Sequence, residues 1–226
     1  MDKDAASDAQ GIGAPTGVSR RNLLIGLGGT AAFMGLGAMR YVGSTPLCRP
    51  PGGQDEDALL SACVRCEKCY EVCPRKVIVP AHLEDGLLGV RSPTLDFSDD
   101  FCDFCVEENG GDPLCVRVCP TGALGLPSDS GPENTIVGLA VIDEGTCLAY
   151  RDTSCRYCYD ACPYEAMELS SDTRSPRPRV IAEKCNGCGA CESVCVSLEA
   201  ASIATGATER AIVVRAVEAS NRRSLS

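Results

Sequence analysis

Sixteen of the chain's seventeen cysteines fall into four compact groups of four. The first is Cys63, Cys66, Cys69 and Cys73, followed by Pro74. The second is Cys102, Cys105, Cys115 and Cys119, followed by Pro120, with nine residues between its second and third cysteines. The third is Cys147, Cys155, Cys158 and Cys162, followed by Pro163, with seven residues after its first cysteine. The fourth is Cys185, Cys188, Cys191 and Cys195, with Val196 in place of proline. Four thiolates converging on one point make a soft anionic donor set of the kind that a metal centre needs.

The spacing narrows the metal. The first group reads C-x2-C-x2-C-x3-C-P, the run that holds 4Fe–4S clusters in bacterial ferredoxins. Two-residue gaps let a tight loop wrap one cubane and offer three thiolates from one side. The fourth cysteine is expected at the opening of a short helix and pointing away, so that it binds a neighbouring cluster. Proline after it fixes φ and turns the chain aside. Gly187 and Gly189 permit positive φ, so that amide N–H groups can point at sulfur. The groups are therefore expected to work in pairs, and spacing alone leaves nested and sequential pairing open. Structural zinc pairs two C-x2-C knuckles and needs neither a third cysteine two residues on nor a following proline. Covalent haem needs C-x-x-C-H, whereas the one histidine, His82, follows no such pair and reads as a surface residue. Complete coordination by sixteen thiolates leaves no open iron for a substrate. No nucleotide-binding loop or hydrolase elbow competes, so the expectation is an electron carrier that is not an enzyme, with four 4Fe–4S clusters.

The elements that must position these groups are slight. Four phenylalanines, six tyrosines and no tryptophan in 226 residues make a thin conventional core, and such a chain relies on metal or covalent cross-links. Tyr70, Phe101, Phe104, Tyr150, Tyr157, Tyr159 and Tyr164 sit close to cysteines and read as shields against water. Short β runs are expected at 77–79, 135–143, 179–181 and 211–217, with loops at 126–133 and 174–178 and no long amphipathic helix. The fold class is α+β: a loop-rich, ferredoxin-like poly-cluster domain of two pseudo-symmetric bis-4Fe–4S halves with short strands and helices. A net charge of -10 excludes a nucleic-acid partner. Upstream, residues 1–18 read as a disordered leader. Ser19-Arg20-Arg21-Asn22-Leu23-Leu24 then precedes a Gly- and Ala-rich apolar run to Met39, the pattern of twin-arginine (Tat) export. That run is short for a membrane span and is diluted by five glycines. No good cleavage site follows, so retention as an uncleaved tether stays open. The division is 1–45 signal or tether, 46–58 Pro/Gly-rich linker, 59–217 four-cluster domain and 218–226 frayed tail. Cys48 falls in the linker, outside every group, and reads as a spare thiol.

Several segments carry a resemblance. Arg49-Pro50-Pro51-Gly52, Ser61 to Cys66, Gly138-Leu139-Ala140-Val141 leading to Cys147-Leu148, Cys185 with Gly187-Cys188-Gly189, and Cys195-Val196 resemble the NapG/MauM-type ferredoxins. These are ferredoxin-type proteins of periplasmic nitrate reductase and methylamine utilisation systems. The resemblance implies a periplasmic protein, exported folded, that relays electrons from a membrane ferredoxin or other quinol-oxidising partner to a periplasmic reductase or its cytochrome subunit. Folded export suits the chemistry, because clusters are then built in the reducing cytoplasm. It also implies nested pairing, in which Cys195 joins Cys63, Cys66 and Cys69 while Cys119 joins Cys147, Cys155 and Cys158. Cys73 would then join the fourth group and Cys162 the second. Rival readings are the electron-transfer subunit of a molybdenum oxidoreductase and an iron–sulfur maturation factor. Local charge gives one more expectation. From 60 to 76 four cations face two anions, whereas from 98 to 120 six anions face one cation. Because reduction adds negative charge, the second group's centre is expected at the lower potential.

Overall fold

The computed structural model describes residues 19–39, 46–170 and 175–217. The expected leader at 1–18 and tail at 218–226 lie outside them. The chain divides into two compact units near residue 42. The first contains helix α1, Arg20–Met39. Among the described residues no helix is long and apolar enough to cross a membrane.

The second unit is assembled from pieces too small to stand alone. Among the described residues its strands form three separate antiparallel ribbons of two strands each. β1 (Ile78–Pro80) pairs with β2 (Pro93–Leu95), with Ile78 opposite Leu95. β3 (Leu139–Ile142) pairs with the last strand, β6 (Ile212–Arg215), with Ala140 opposite Val214. β4 (Met167–Leu169) pairs with β5 (Pro178–Val180), with Met167 opposite Val180. The expected runs account for β1, β3, β5 and β6. β2 and β4 were not expected, since they read Pro-Thr-Leu and Met-Glu-Leu, without the Val or Ile that the other four contain. An isolated two-stranded ribbon is marginal in water, so stability must come from what the ribbons enclose. That core interleaves Leu59, Phe97, Phe104, Leu124 and Val137 with cysteines.

The helices are equally short: α2 (Glu56–Ala62), α3 (Lys68–Val72), α4 (Val106–Asn109), α5 (Leu114–Val118), α6 (Tyr157–Asp160), α7 (Ala190–Ser193) and α8 (Ser197–Thr205). α2 starts cleanly because the Asp55 carboxylate accepts the Ala58 N–H at 3.0 Å and Glu56 and Asp57 fill its first turn.

One expectation is corrected here. Residues 46–58 are not a free linker, because Arg49, Pro50 and Pro51 are buried. The Arg49 guanidinium donates to the Glu56 carboxylate at 2.8 Å, to Ser92 Oγ at 2.9 Å and to the Pro93 carbonyl at 2.7 Å. The Cys48 carbonyl accepts the Leu95 N–H at 2.7 Å, which ties the segment to β2. Proline rings are apolar and pre-set in φ, so a Pro/Gly run packs well once an arginine anchors it. Arg49→Ala would leave these acceptors unpaired. We expect a loss of about 2–3 kcal/mol, read as a lower midpoint in thermal unfolding of the full chain. A midpoint unchanged within a degree or so would refute the anchoring role.

Candidate metal centre

Each cysteine group is built the same way. The third cysteine lies inside a helix of four or five residues: Cys69 in α3, Cys115 in α5, Cys158 in α6 and Cys191 in α7. The fourth stands at or just beyond that helix's C-terminal end, where Cys73 and Cys119 are the C-cap residues of α3 and α5. This corrects the expected placement at a helix opening for Cys73, Cys119 and Cys162, whereas Cys195 also stands just before the opening of α8. The consequence is the same, because one short helix holds two thiols at opposite ends and offers them to two different centres.

The residue before each second cysteine has positive φ: Arg65 at 55°, Phe104 at 57°, Ser154 at 56° and Gly187 at 77°. For a residue with a Cβ this costs about 1–2 kcal/mol. Its recurrence at four equivalent positions marks a backbone bend imposed by the loop's task of turning amides inward.

The helices decide the partnership. α3 packs on α5, and α6 packs on α7. Cys63, Cys66, Cys69 and Cys119 consequently line one cavity, together with Leu59, Tyr70 and Leu124. Cys147, Cys155, Cys158 and Cys195 line another. Cys162, Cys185, Cys188 and Cys191 line a third. The remaining quartet is Cys73 with Cys102, Cys105 and Cys115. Burial pushes the Cys115 thiol up, and Cys102, Cys105 and Cys73 push it further. Pairing is therefore sequential, first group with second and third with fourth, and the nested scheme is wrong at every exchanged cysteine. Cys119 joins Cys63, not Cys147. Cys195 joins Cys147, not Cys63. Cys73 joins the second group and Cys162 the fourth. Sequential pairing closes shorter loops and so costs less chain entropy, and the β1–β2 ribbon folds the connection between the first two groups back on itself.

The donor sets suit a multi-iron centre. None of the seventeen cysteines is joined in a disulfide. Four sulfurs around one zinc at about 2.3 Å would lie roughly 3.8 Å apart. Among the described residues, the only group of three or more His, Cys, Asp or Glu ligand atoms within 4.8 Å of one another is Asp103, Glu107 and Glu108. The cysteine quartets are spread more widely than a single ion requires, as a cube-shaped cluster with a ligand at each iron corner requires. Burial, together with neighbouring thiols, pushes Cys69, Cys102, Cys158 and Cys188 each up to about 12. A quartet of this kind ionises only against a cationic centre. Cys119 differs. Burial pushes it up, but N–H groups, chiefly that of Leu124 at 3.5 Å, and the Thr121 hydroxyl outweigh that and hold it below its ordinary value. Cys162 Sγ similarly accepts the Ala166 N–H at 3.3 Å.

The remaining candidates fall into place. Cys66 is the one exposed cysteine of the seventeen. Cys48 is buried beside Val214, whose carbonyl lies 3.5 Å from its sulfur, and it belongs to no quartet. His82 is exposed. Phe104 is fully buried, whereas Tyr157 is 57 % exposed and shields little.

Sequence reasoning missed Arg75. Its guanidinium meets Asp103 at 3.4 Å, Glu107 at 3.1 Å and Asp100 at 3.8 Å, and lies 5.0 Å from the centre of the Phe101 ring. The cation counted with the first group therefore sits among the second group's acids, two residues from Cys73. For a unit charge ~8 Å from a redox centre at an effective dielectric of about 20, the interaction is about 2 kcal/mol, or on the order of 90 mV for one electron. Solvent reduces this, since Arg75 is a quarter exposed. We expect Arg75→Gln to lower the potential of the second quartet's centre by roughly 30–60 mV. A redox titration followed by EPR reads this, and no shift would show that the acids and Arg75 do not tune the site.

Comparison with known proteins agrees with this division. Residues 62–124 match one model of a 4Fe-4S dicluster domain, and residues 153–197 match another. The ferredoxin-type protein NapG of Escherichia coli is 36% identical over 181 residues, covering 76% of this chain and 75% of that protein. The methylamine utilization ferredoxin-type protein MauM of Methylorubrum extorquens is 35% identical over 205 residues, covering 83% of this chain and 89% of that protein. NapG of Haemophilus influenzae is 32% identical over 189 residues, covering 78% of this chain and 65% of that protein. With its four thiol quartets and its two dicluster regions, the chain belongs to the ferredoxin-type iron–sulfur electron-transfer proteins that include NapG and MauM.

Proposed function

We propose that each quartet holds one 4Fe–4S cluster, so that sixteen cysteines ligate four, and that the two halves are repeats of one bis-cluster unit. Such clusters supply one-electron storage at potentials set by their surroundings. The chain's own residues fix the thiolates, exclude water through Leu59, Phe104 and Leu124, and leave one site near solvent at Cys66. The protein accepts electrons from a membrane quinol-oxidising partner and delivers them to a periplasmic reductase of the nitrate reductase type. The twin-arginine sequence at 19–24 exports it folded.

The observation that carries this reading is the sequential closing of the quartets, first with second and third with fourth, together with the similarity to NapG over most of both chains. Similarity to MauM supports a second acceptor, belonging to a methylamine-oxidising system. One experiment separates them. The reduced full chain is mixed anaerobically with periplasmic extract of its host, and reoxidation is followed at the cluster absorbance. Acceleration by nitrate supports the first acceptor. Acceleration only in extract of methylamine-grown cells supports the second. Reoxidation in neither would overturn the relay.

A further inference from the structure

The two halves of the second unit meet through their ligand loops. The N–H of Cys102, in the second quartet, donates to the carbonyl of Cys188, in the fourth, at 2.8 Å. Phe97 is buried against Gly189, where a Cβ would come within 2.2 Å of a ring carbon. Tyr164 occupies the same gap. It lines the fourth quartet's cavity beside Cys188 and also the cleft that holds Asp103. Asn186 Oδ1 accepts the Cys188 N–H at 3.1 Å.

The loops of the other two quartets bond within their own halves: the hydrogen bonds of the first run to residues 59–91 and those of the third to residues 143–178. Within the halves the neighbours are equally definite. Cys69 of the first quartet and Cys73 of the second are held by one short helix, α3, which packs on α5, and α6 with Cys158 of the third packs on α7 with Cys191 of the fourth.

We infer that the four sites form one linear series, first–second–fourth–third, and that the electron passes between the halves across the Cys102–Cys188 hydrogen bond. Order in space thus departs from order in sequence in the second half. The crossing is an outer-sphere step in which one centre is oxidised, the next is reduced, and no bond of the chain forms or breaks. A hydrogen bond between two ligand residues is a short, rigid route for it. This series rests on the relay reading proposed above.

The test is EPR of the fully reduced, full-length chain, in which neighbouring reduced clusters broaden each other's signals. Iron and sulfide analysis of the parent comes first. A chain that holds no clusters defeats the relay reading itself, separately from the order. Cys63→Ala/Cys66→Ala removes the first site, and Cys147→Ala/Cys155→Ala the third. In either variant the three remaining sites should still be contiguous, with no unbroadened signal. Cys102→Ala/Cys105→Ala removes the second site and should isolate the first, so that one unbroadened signal appears. Should either end-site variant show an isolated signal, or should the second-site variant show none, the series is overturned. The third-site variant carries the order, because in the order of the sequence its loss would isolate the fourth site; should it not fold, Cys185→Ala/Cys188→Ala takes its place and should leave the third site with an unbroadened signal.

Discussion

Anaerobically purified full-length protein should return about sixteen iron and sixteen acid-labile sulfide per chain, from four cubanes with four thiolates each. Removing them should unfold residues 46–217. The physical reason lies in how little else holds that unit. Its strands are three isolated ribbons, its ligand helices are four or five residues long, and its core is threaded with cysteine side chains. Neither short ribbons nor short helices are stable alone. Structural zinc sites, for scale, contribute on the order of 10–16 kcal/mol to folding, more than the whole net stability of an ordinary domain. Chelation under anaerobic conditions should therefore abolish the cooperative thermal transition and most near-ultraviolet circular dichroism. Protein that is iron-free yet holds stoichiometric zinc would defeat the cluster assignment. Protein that keeps its transition after losing iron would show that the apolar core suffices.

Sequential pairing makes a second large prediction, because it and nested pairing exchange the same cysteines between centres. Cys119→Ala should lower iron from about sixteen to about twelve. The double variants then decide. If Cys119 and Cys63 serve one centre, Cys63→Ala/Cys119→Ala should also stay at about twelve, whereas Cys119→Ala/Cys147→Ala should fall to about eight. Nested pairing gives the reverse. The reciprocal set uses Cys195, which should be non-additive with Cys147 and additive with Cys63. Non-additivity is the informative quantity, since two ligands of one site can lose that site only once.

Arg75 shows why a charge count along the chain misjudges a potential. The acids from 98 to 120 and the cations from 60 to 76 were tallied as two neighbourhoods. Folding brings Arg75 to Asp103 and Glu107 and gives Cys73 to the second quartet. Part of the first group's positive surplus therefore belongs to the second centre. The contrast in potential between the two is smaller than the linear tally implies.

What the sequence determined by itself was chemistry and kind. The spacings within each group, set by the reach of a loop around one centre, identify sixteen candidate ligands and the type of cluster. Scarce aromatics foretell a fold dependent on cross-links. Runs with Val and Ile were enough to find β1, β3, β5 and β6, whereas β2 and β4 contain neither. The tertiary structure decided everything that depends on which short helix lies beside which. Fourth cysteines at helix ends can reach any neighbour, so only the packing of α3 on α5 and of α6 on α7 selects the sequential partners. The same holds for Arg49: within a Pro/Gly run it looks like linker, and only Glu56, Ser92 and Pro93 converging on its guanidinium make it an anchor. Local spacing is encoded over a few residues, whereas partnership is encoded in contacts between segments tens of residues apart, where no periodicity records it.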